Sequence, residues 1–317
     1  MSPAAGGPAG DPERPAGPRP PGPGRRPVLR AWVTGARLHT LPAAAAPVLA
    51  GGGLARWRGG FALLPFLAAL AGALLIQIAT NFANDYHDFH RGADTDAREG
   101  FVRVTQAGLV PPGRVRRWMW EAFGLAFVPG LYLAWVAGWP VVVVGLASVA
   151  AGLAYTGGPW PLAYHGLGEP FVFVFFGLVA VGMTGYVQTL RFEPSSLLAG
   201  AGVGAFTTAI LVVNNLRDIP TDAEAGKRTL AVRLGEGGSR AEYFLLLAAA
   251  LAVPPLGVAL AGWPPAALLA CAGVAAAAPA ARKIVAFEAR GELNAALSET
   301  GRALGLYGLL LAVGLAL

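Results

Sequence analysis

Long stretches of this 317-residue chain carry no charge, and that absence constrains the fold more than any other feature. No Asp, Glu, Lys or Arg occurs in residues 38–55, 59–84, 122–168, 170–190, 194–216, 243–281 or 303–317. A helix needs about 20 mostly apolar residues to cross the hydrocarbon of a bilayer. Two intervals are long enough for a pair of crossings: 122–168 breaks at Gly138-Trp139-Pro140, and 243–281 breaks at Gly262-Trp263-Pro264-Pro265. Gly and Pro there predict tight turns, with Trp near the membrane interface. The expectation is an all-α polytopic membrane protein with nine transmembrane helices, or eight if the short last interval does not span. Composition agrees, because 55% of residues are hydrophobic and only 13% charged, against about a quarter charged in a soluble domain. It argues against a soluble enzyme, a disordered chain and a nucleic-acid binder, despite a net charge of +6. The one cysteine, Cys271, rules out an intrachain disulfide or a Cys-based zinc site. It reads as a small buried apolar residue of span eight.

Lys and Arg set the orientation. With the N-terminus in the cytoplasm, all 24 except Arg56, Arg58 and Arg191 fall on the inner side, as expected of loops facing the cytoplasm. Moving the count by one span destroys the asymmetry. The chain is therefore expected in the inner (cytoplasmic) cell membrane, N-terminus inside and C-terminus outside, in contact with anionic lipid. Residues 1–28 hold nine Pro and six Gly between Arg residues. They are expected to form a disordered tail without the apolar region of a cleavable signal, leaving 29–317 as the transmembrane domain. Nothing calls for an obligate protein partner.

The acids are unevenly spread. Asp85, Asp88, Asp94, Asp96 and Glu99 crowd the loop after span two, and Asp218, Asp222 and Glu224 the loop after span six. Both loops lie on the inner side by the Lys and Arg pattern. The first carboxylates begin while the sequence is still helical and apolar, where an ionised group in lipid is costly and points to function. Asn84 and Asp88 are four apart and share a helix face, as do Asn214 and Asp218. The same Asn-x-x-x-Asp thus closes spans two and six, an internal pseudo-repeat that places two carboxylate clusters on one side of the membrane. Asp222 follows across Pro220, which ends or kinks the helix. Asp96, Glu99 and Glu224 read as solvated loop charges. Oxygen ligands without Cys suit Mg²⁺, which is held by a few carboxylates together with substrate phosphates. Arg91, Arg103, Arg217, Lys227 and Arg228 lie nearby and suit phosphate. The site reads as a metal–diphosphate clamp opening into an apolar bundle, suited to a polyprenyl diphosphate.

At these residues the chain resembles the UbiA superfamily of intramembrane prenyltransferases. Its first motif is matched by Asn84-Asp85-Tyr86-His87-Asp88 with Asp94, and its second by Asp218, Asp222, Gly226 and Lys227. It looks most like the branch that prenylates 1,4-dihydroxy-2-naphthoate in menaquinone synthesis. That likeness is carried by Arg37 to Pro42, Gln106-Ala107-Gly108, Tyr155-Thr156-Gly157-Gly158-Pro159, Gly166-Leu167-Gly168-Glu169 and Asn214 to Gly235. The resemblance implies nine transmembrane helices around a central cavity, two Mg²⁺ ions, a polyprenyl diphosphate donor and an aromatic acid that loses CO₂ to give demethylmenaquinone. Asn84, Asp85, Asp88, Asp94, Asp218 and Asp222 become the candidate metal ligands. Asn84, Arg91, Arg103, Gln106, Lys227 and Arg228 become candidate substrate contacts, and Asp88, Asp218, Lys227 and Tyr155 the candidate catalytic residues. Relatives carry Tyr-x-x-x-Lys after span four; here Pro159 follows Tyr155, so the basic contact falls to Lys227, Arg228 or Arg103. Tyr155, Phe171 or Phe173 would shield the carbocation from water.

Other readings remain at this stage. The acceptor could be 4-hydroxybenzoate, homogentisate, chlorophyllide or haem. An ion-coupled transporter would place its acids near the midplane beside broken helices, and here they sit at helix ends among Lys and Arg. A lipid-head phosphotransferase would begin with Asp-Gly, whereas Tyr86 and Phe89 follow Asp85 and Asp88. His87 and His90 make a weak zinc pair. Glu169 reads as a proton acceptor, a group orienting an Arg, or an ordinary first-turn helix charge.

Overall fold

The computed structural model describes residues 25–94 and 99–317. Among these residues it is all helical. The chain runs through α1 (Arg25–Ala36), α2 (Leu41–Trp57), α3 (Leu63–His90), α4 (Pro112–Ala137) and α5 (Trp139–Thr156). It continues through α6 (Gly168–Val172), a π-helical stretch (Phe173–Val179) and α7 (Ala180–Thr189), which form one rod. Then come α8 (Ser195–Arg217), the short α9 (Ile219–Glu224), α10 (Leu230–Ala261), α11 (Ala270–Ala275), α12 (Ala278–Ala286) and α13 (Leu293–Ala316). Helix α1 begins inside the segment assigned to the tail, and residues 1–24 lie outside the described residues.

Eight helical segments are long and apolar enough to cross a membrane, and they correspond in order to the first eight crossings read from the sequence. The chain is a multi-pass membrane protein. Helix α13 carries Glu299 and Arg302 in its first half and is packed against α2 and α8. Both turns read from Gly and Pro are present. Gly138 (φ 79°) separates α4 from α5, and Gly262 (φ 71°) ends α10, conformations open to glycine and strained for other residues. Of the two turn tryptophans, Trp139 is exposed as expected of an interfacial residue. Trp263 is not: its ring is 2% exposed and lies over Gly257 in the bundle.

The helices divide into an inner and an outer set. Helices α2, α8 and α13 pack together, and α2 meets α13 through small residues: a Cβ on Gly308 would stand 2.7 Å from the Cα of Ala46. In lipid there is no hydrophobic drive to push apolar helices together, so close backbone approach at small residues supplies the packing. Helices α4 and α5 are peripheral, with Leu125, Val128, Trp135 and Val143 exposed, as befits lipid-facing side chains. Between the two sets lies the cavity that holds the site.

Candidate functional site

The cavity has a volume of about 480 Å³ and is enclosed by α2, α3, α4, α5, the α6–α7 rod and α8. Its body is apolar, lined by Ile76, Phe123, Phe127, Phe171, Phe175 and Phe176 among others. Its polar end gathers Asn84, Asp88, Arg103, Tyr155, Thr156, Asn214, Asn215 and Lys227. A few convergent polar groups in an otherwise apolar cavity are the common form of a small-molecule site.

The first carboxylate cluster is built by the end of α3. Gly92 (φ 69°) follows the helix, and the amides of Gly92 and Ala93 return to the carbonyls of Phe89 and Asp88. This is a Schellman closure, which needs a left-handed residue after the helix. It leaves Asp88, four residues before Gly92, on the last turn facing the cavity. Asp88 Oδ1 accepts from the Tyr164 hydroxyl (3.0 Å), and Oδ2 pairs with Arg103 Nη2 (3.4 Å). Arg103 Nε is 3.2 Å from Asp94 Oδ1, so the guanidinium lies between two carboxylates. Its Nη1 is buried without a hydrogen-bond partner. Asn84 Oδ1 accepts from the Thr156 hydroxyl at 2.9 Å, linking α3 to the end of α5.

The second cluster has the same ending with different neighbours. Helix α9 closes on Gly226 (φ 71°), whose amide returns to Ala223 while that of Lys227 returns to Asp222. The turn brings the Lys227 ammonium 3.3 Å from Asp222 Oδ1, and 5.5 Å above the Tyr164 ring. Asp222 Oδ2 is buried and unpartnered. Burial pushes the Asp222 carboxyl up to about 6, with Lys227 opposing and the charge of Asp218 adding to the rise. Burial alone would lower Lys227, but Asp222, Asp88 and Asp218 together hold it above its ordinary value. Lys227 therefore lies in the field of carboxylates from both motifs. Asp218 is locked differently. Its two oxygens accept from Arg217 Nε and Nη2, both at 2.7 Å, and Arg217 also holds Asn214 Oδ1 and Asn294 Oδ1, each at 2.8 Å.

Several expected roles change. Asp85, expected among the metal ligands, is fully buried on the other side of α3, where its oxygens accept the amides of Val104 and Thr105 at 2.9 and 3.1 Å. It shapes the loop that carries Arg103 and takes no place on the cavity wall. Arg91, expected on substrate, instead donates to the carbonyls of Thr156 and Gly158 and so pins the loop after α5. Arg228 is exposed and Gln106 lies off the cavity. Phe171 lines the cavity, whereas Phe173 packs against Gly204. His90 is bonded to the Tyr86 carbonyl and His87 packs against Gly157. Asp96 lies outside the described residues.

Tyr164 escaped the sequence reading: it lies in a short 3₁₀ turn, Leu162–His165, where no periodicity marks it. Arg217, read from the sequence as a cation suited to phosphate, is 2% exposed and bonded to Asp218, Asn214 and Asn294. Among the described residues, no three carboxylate, imidazole or thiolate groups converge as a ready-made metal site. The oxygen-bearing groups on the cavity wall include Asn84 and Asp88, while Asp218 and Asp222 lie off it, and Asp222 Oδ2 is buried without a hydrogen-bond partner. That set suits an oxygen-seeking ion completed by ligand phosphates, with few protein ligands of its own.

Residues 44–298 match the UbiA prenyltransferase family. The chain is 46% identical over 219 residues to 1,4-dihydroxy-2-naphthoate octaprenyltransferase of Mycobacterium tuberculosis, covering 69% of this chain and 75% of the relative. Among solved structures it resembles the apo form of a UbiA homolog from Aeropyrum pernix, with a TM-score of 0.65 at 16% identity over 86% of this chain and 97% of the other. It also resembles a UbiA homolog from Archaeoglobus fulgidus bound to DMAPP and Mg²⁺, with a TM-score of 0.53 at 13% identity over 70% and 75%.

Proposed function

From the premise that this chain belongs to the UbiA prenyltransferase family, we propose that it transfers a polyprenyl group from an allylic diphosphate to 1,4-dihydroxy-2-naphthoate. The products are diphosphate, CO₂ and the prenylated naphthalenediol, the reduced form of demethylmenaquinone. The observation that carries this reading is the cavity itself, where Asp88 and Lys227 stand at one end of a phenylalanine-rich interior. A diphosphate with a hydrocarbon tail matches both halves. The 46% identity to a naphthoate octaprenyltransferase supports the acceptor. The Lys and Arg asymmetry supports a cytoplasmic active site in the inner cell membrane.

In this reading Asn84, Asp88, Asp218 and Asp222 would hold Mg²⁺ together with the substrate's phosphates, Asp218 while still paired with Arg217, and the ion would supply charge neutralisation for the leaving group. Lys227 and Arg103 bind the diphosphate directly. Arg103 has an unpartnered buried nitrogen to offer, and such a charged donor gains strongly from a phosphate oxygen. Tyr164 keeps Asp88 oriented through its 3.0 Å hydrogen bond. As the allylic C–O bond breaks, its electron pair leaves on the diphosphate. The electron-rich acceptor ring forms the new C–C bond, and its carboxyl carbon departs as CO₂. Tyr155 and Phe171 on the wall exclude water and face the cationic carbon with π-electron density.

The test is purified protein with Mg²⁺, a polyprenyl diphosphate and a panel of hydroxyaromatic acids, with products read by mass. The expected result is one prenylated product lacking the mass of CO₂, formed from the naphthoate and abolished by EDTA. Activity insensitive to EDTA, or no product with any acceptor, would overturn the proposal.

A further inference from the structure

The two adjacent asparagines at the end of α8 face the cavity with opposite hydrogen-bonding groups. Asn214 Oδ1 accepts from Arg217 Nη2 at 2.8 Å, which leaves its Nδ2 donor on the cavity side. Asn215 is the reverse. Its Nδ2 donates to Glu169 Oε1 at 2.8 Å. With Nδ2 turned to Glu169, Oδ1 is the group Asn215 offers. No hydrogen bond among the described residues takes that oxygen, and Asn215 lines the cavity beside Lys227 and Tyr155. Glu169 is 4% exposed in the first turn of α6, and its second oxygen, Oε2, is buried without a partner. A buried carboxylate is costly, and solvation does not account for one placed behind a cavity-lining amide. Gly168 keeps the arrangement tight, since a Cβ there would stand 3.0 Å from the Tyr155 hydroxyl oxygen.

We propose that Asn215, oriented by Glu169, accepts a hydrogen bond from a ring hydroxyl of the aromatic acceptor and so makes the site selective for hydroxyaromatic substrates. This rests on the prenyl-transfer reading above. An acceptor oxygen recognises a hydroxyl and rejects its methyl ether, because the ether has no proton to give and leaves the oxygen buried and unpaired. Asn215 is the specificity-determining residue and Glu169 a positioning residue that acts through it.

The experiment measures kcat/KM for the hydroxyaromatic acid and for its mono-methyl ethers, together with the KM for prenyl diphosphate. It uses the full chain in detergent or nanodiscs, and thermal unfolding checks that each variant is folded. The wild type should prefer the free hydroxyl by about tenfold or more over at least one ether. Asn215→Leu should remove most of that preference while leaving the KM for prenyl diphosphate within about twofold. Glu169→Ala, which frees the amide without touching the wall, should do the same if Asn215→Leu fails to fold. Glu169→Gln, whose carbonyl can still accept from Nδ2, should restore the preference. A purely packing role for Glu169 would not move the hydroxyl-to-ether ratio. An unchanged ratio in folded Asn215→Leu or Glu169→Ala overturns this inference alone. A wild type that prenylates no hydroxyaromatic acid overturns the functional reading and this inference with it.

Discussion

The ends of α3 and α9 are built alike and used differently. Each closes on a left-handed glycine, Gly92 or Gly226, with a carboxylate four residues earlier, Asp88 or Asp222. The sequence pseudo-repeat had matched Asp88 to Asp218, because both follow an Asn by four. Backbone geometry matches Asp88 to Asp222 instead. Asp88 is oriented by a neutral hydroxyl and a long contact to Arg103, so much of its charge remains for a ligand. Asp218 is neutralised by two 2.7 Å bonds from the adjacent Arg217, and Asp222 is shared with Lys227. Spacing along a helix places two groups on one face, while the partners brought by other elements decide how much charge each can give to a substrate.

This contrast can be broken by substitution. Asp88→Ala should produce the largest loss, about 10³-fold or more in kcat/KM, if Asp88 stabilises the departing diphosphate through the metal. Its folding should be retained, and turnover near wild type in folded protein would remove Asp88 from the site. Arg217→Met should act mainly on stability, because it strands the buried Asp218 charge and the amide oxygens of Asn214 and Asn294. The expected loss is about 3–5 kcal/mol, read from thermal unfolding in detergent, and an unchanged midpoint would show that Asp218 is not held by this pair. Tyr164→Phe should be milder, costing about 3–10-fold in kcat/KM by removing one hydrogen bond to Asp88. An effect larger than that of Asp88→Ala would invert the proposed order of dependence. Arg228→Ala should change activity by less than about twofold, since an exposed charge off the cavity is screened by solvent and salt. A large loss there would return Arg228 to the phosphate site.

Much of the site was legible because membrane chemistry exaggerates the signal. Asp88 and Lys227 stand out in a chain whose spans exclude charge, and both line the cavity end. Asp85 was misread for the same reason. A carboxylate at a helix mouth looks like a ligand until the amides of Val104 and Thr105, about 20 residues downstream, are seen to consume it. Tyr164 gave no such signal, because a hydroxyl in a Gly- and Pro-rich turn gains its meaning only when the fold brings Asp88 to it.

What the sequence determined by itself is the membrane architecture: eight of the nine crossings it predicted, in order, their breaks at Gly138 and Gly262, and polar groups gathered at helix ends. These follow from local rules, since the penalty for charge in hydrocarbon and the conformational freedom of glycine depend little on distant residues. Tertiary structure alone decided which carboxylates remain available, that Asn214 and Asn215 offer opposite groups, and that Trp263 is buried. Asn215 depends on Glu169 and Asp88 on Tyr164, partners far away in the chain, while Asn214 and Asp218 depend on where the end of α8 aims Arg217, and a hydrogen bond or ion pair has no meaning for availability until both members are in place.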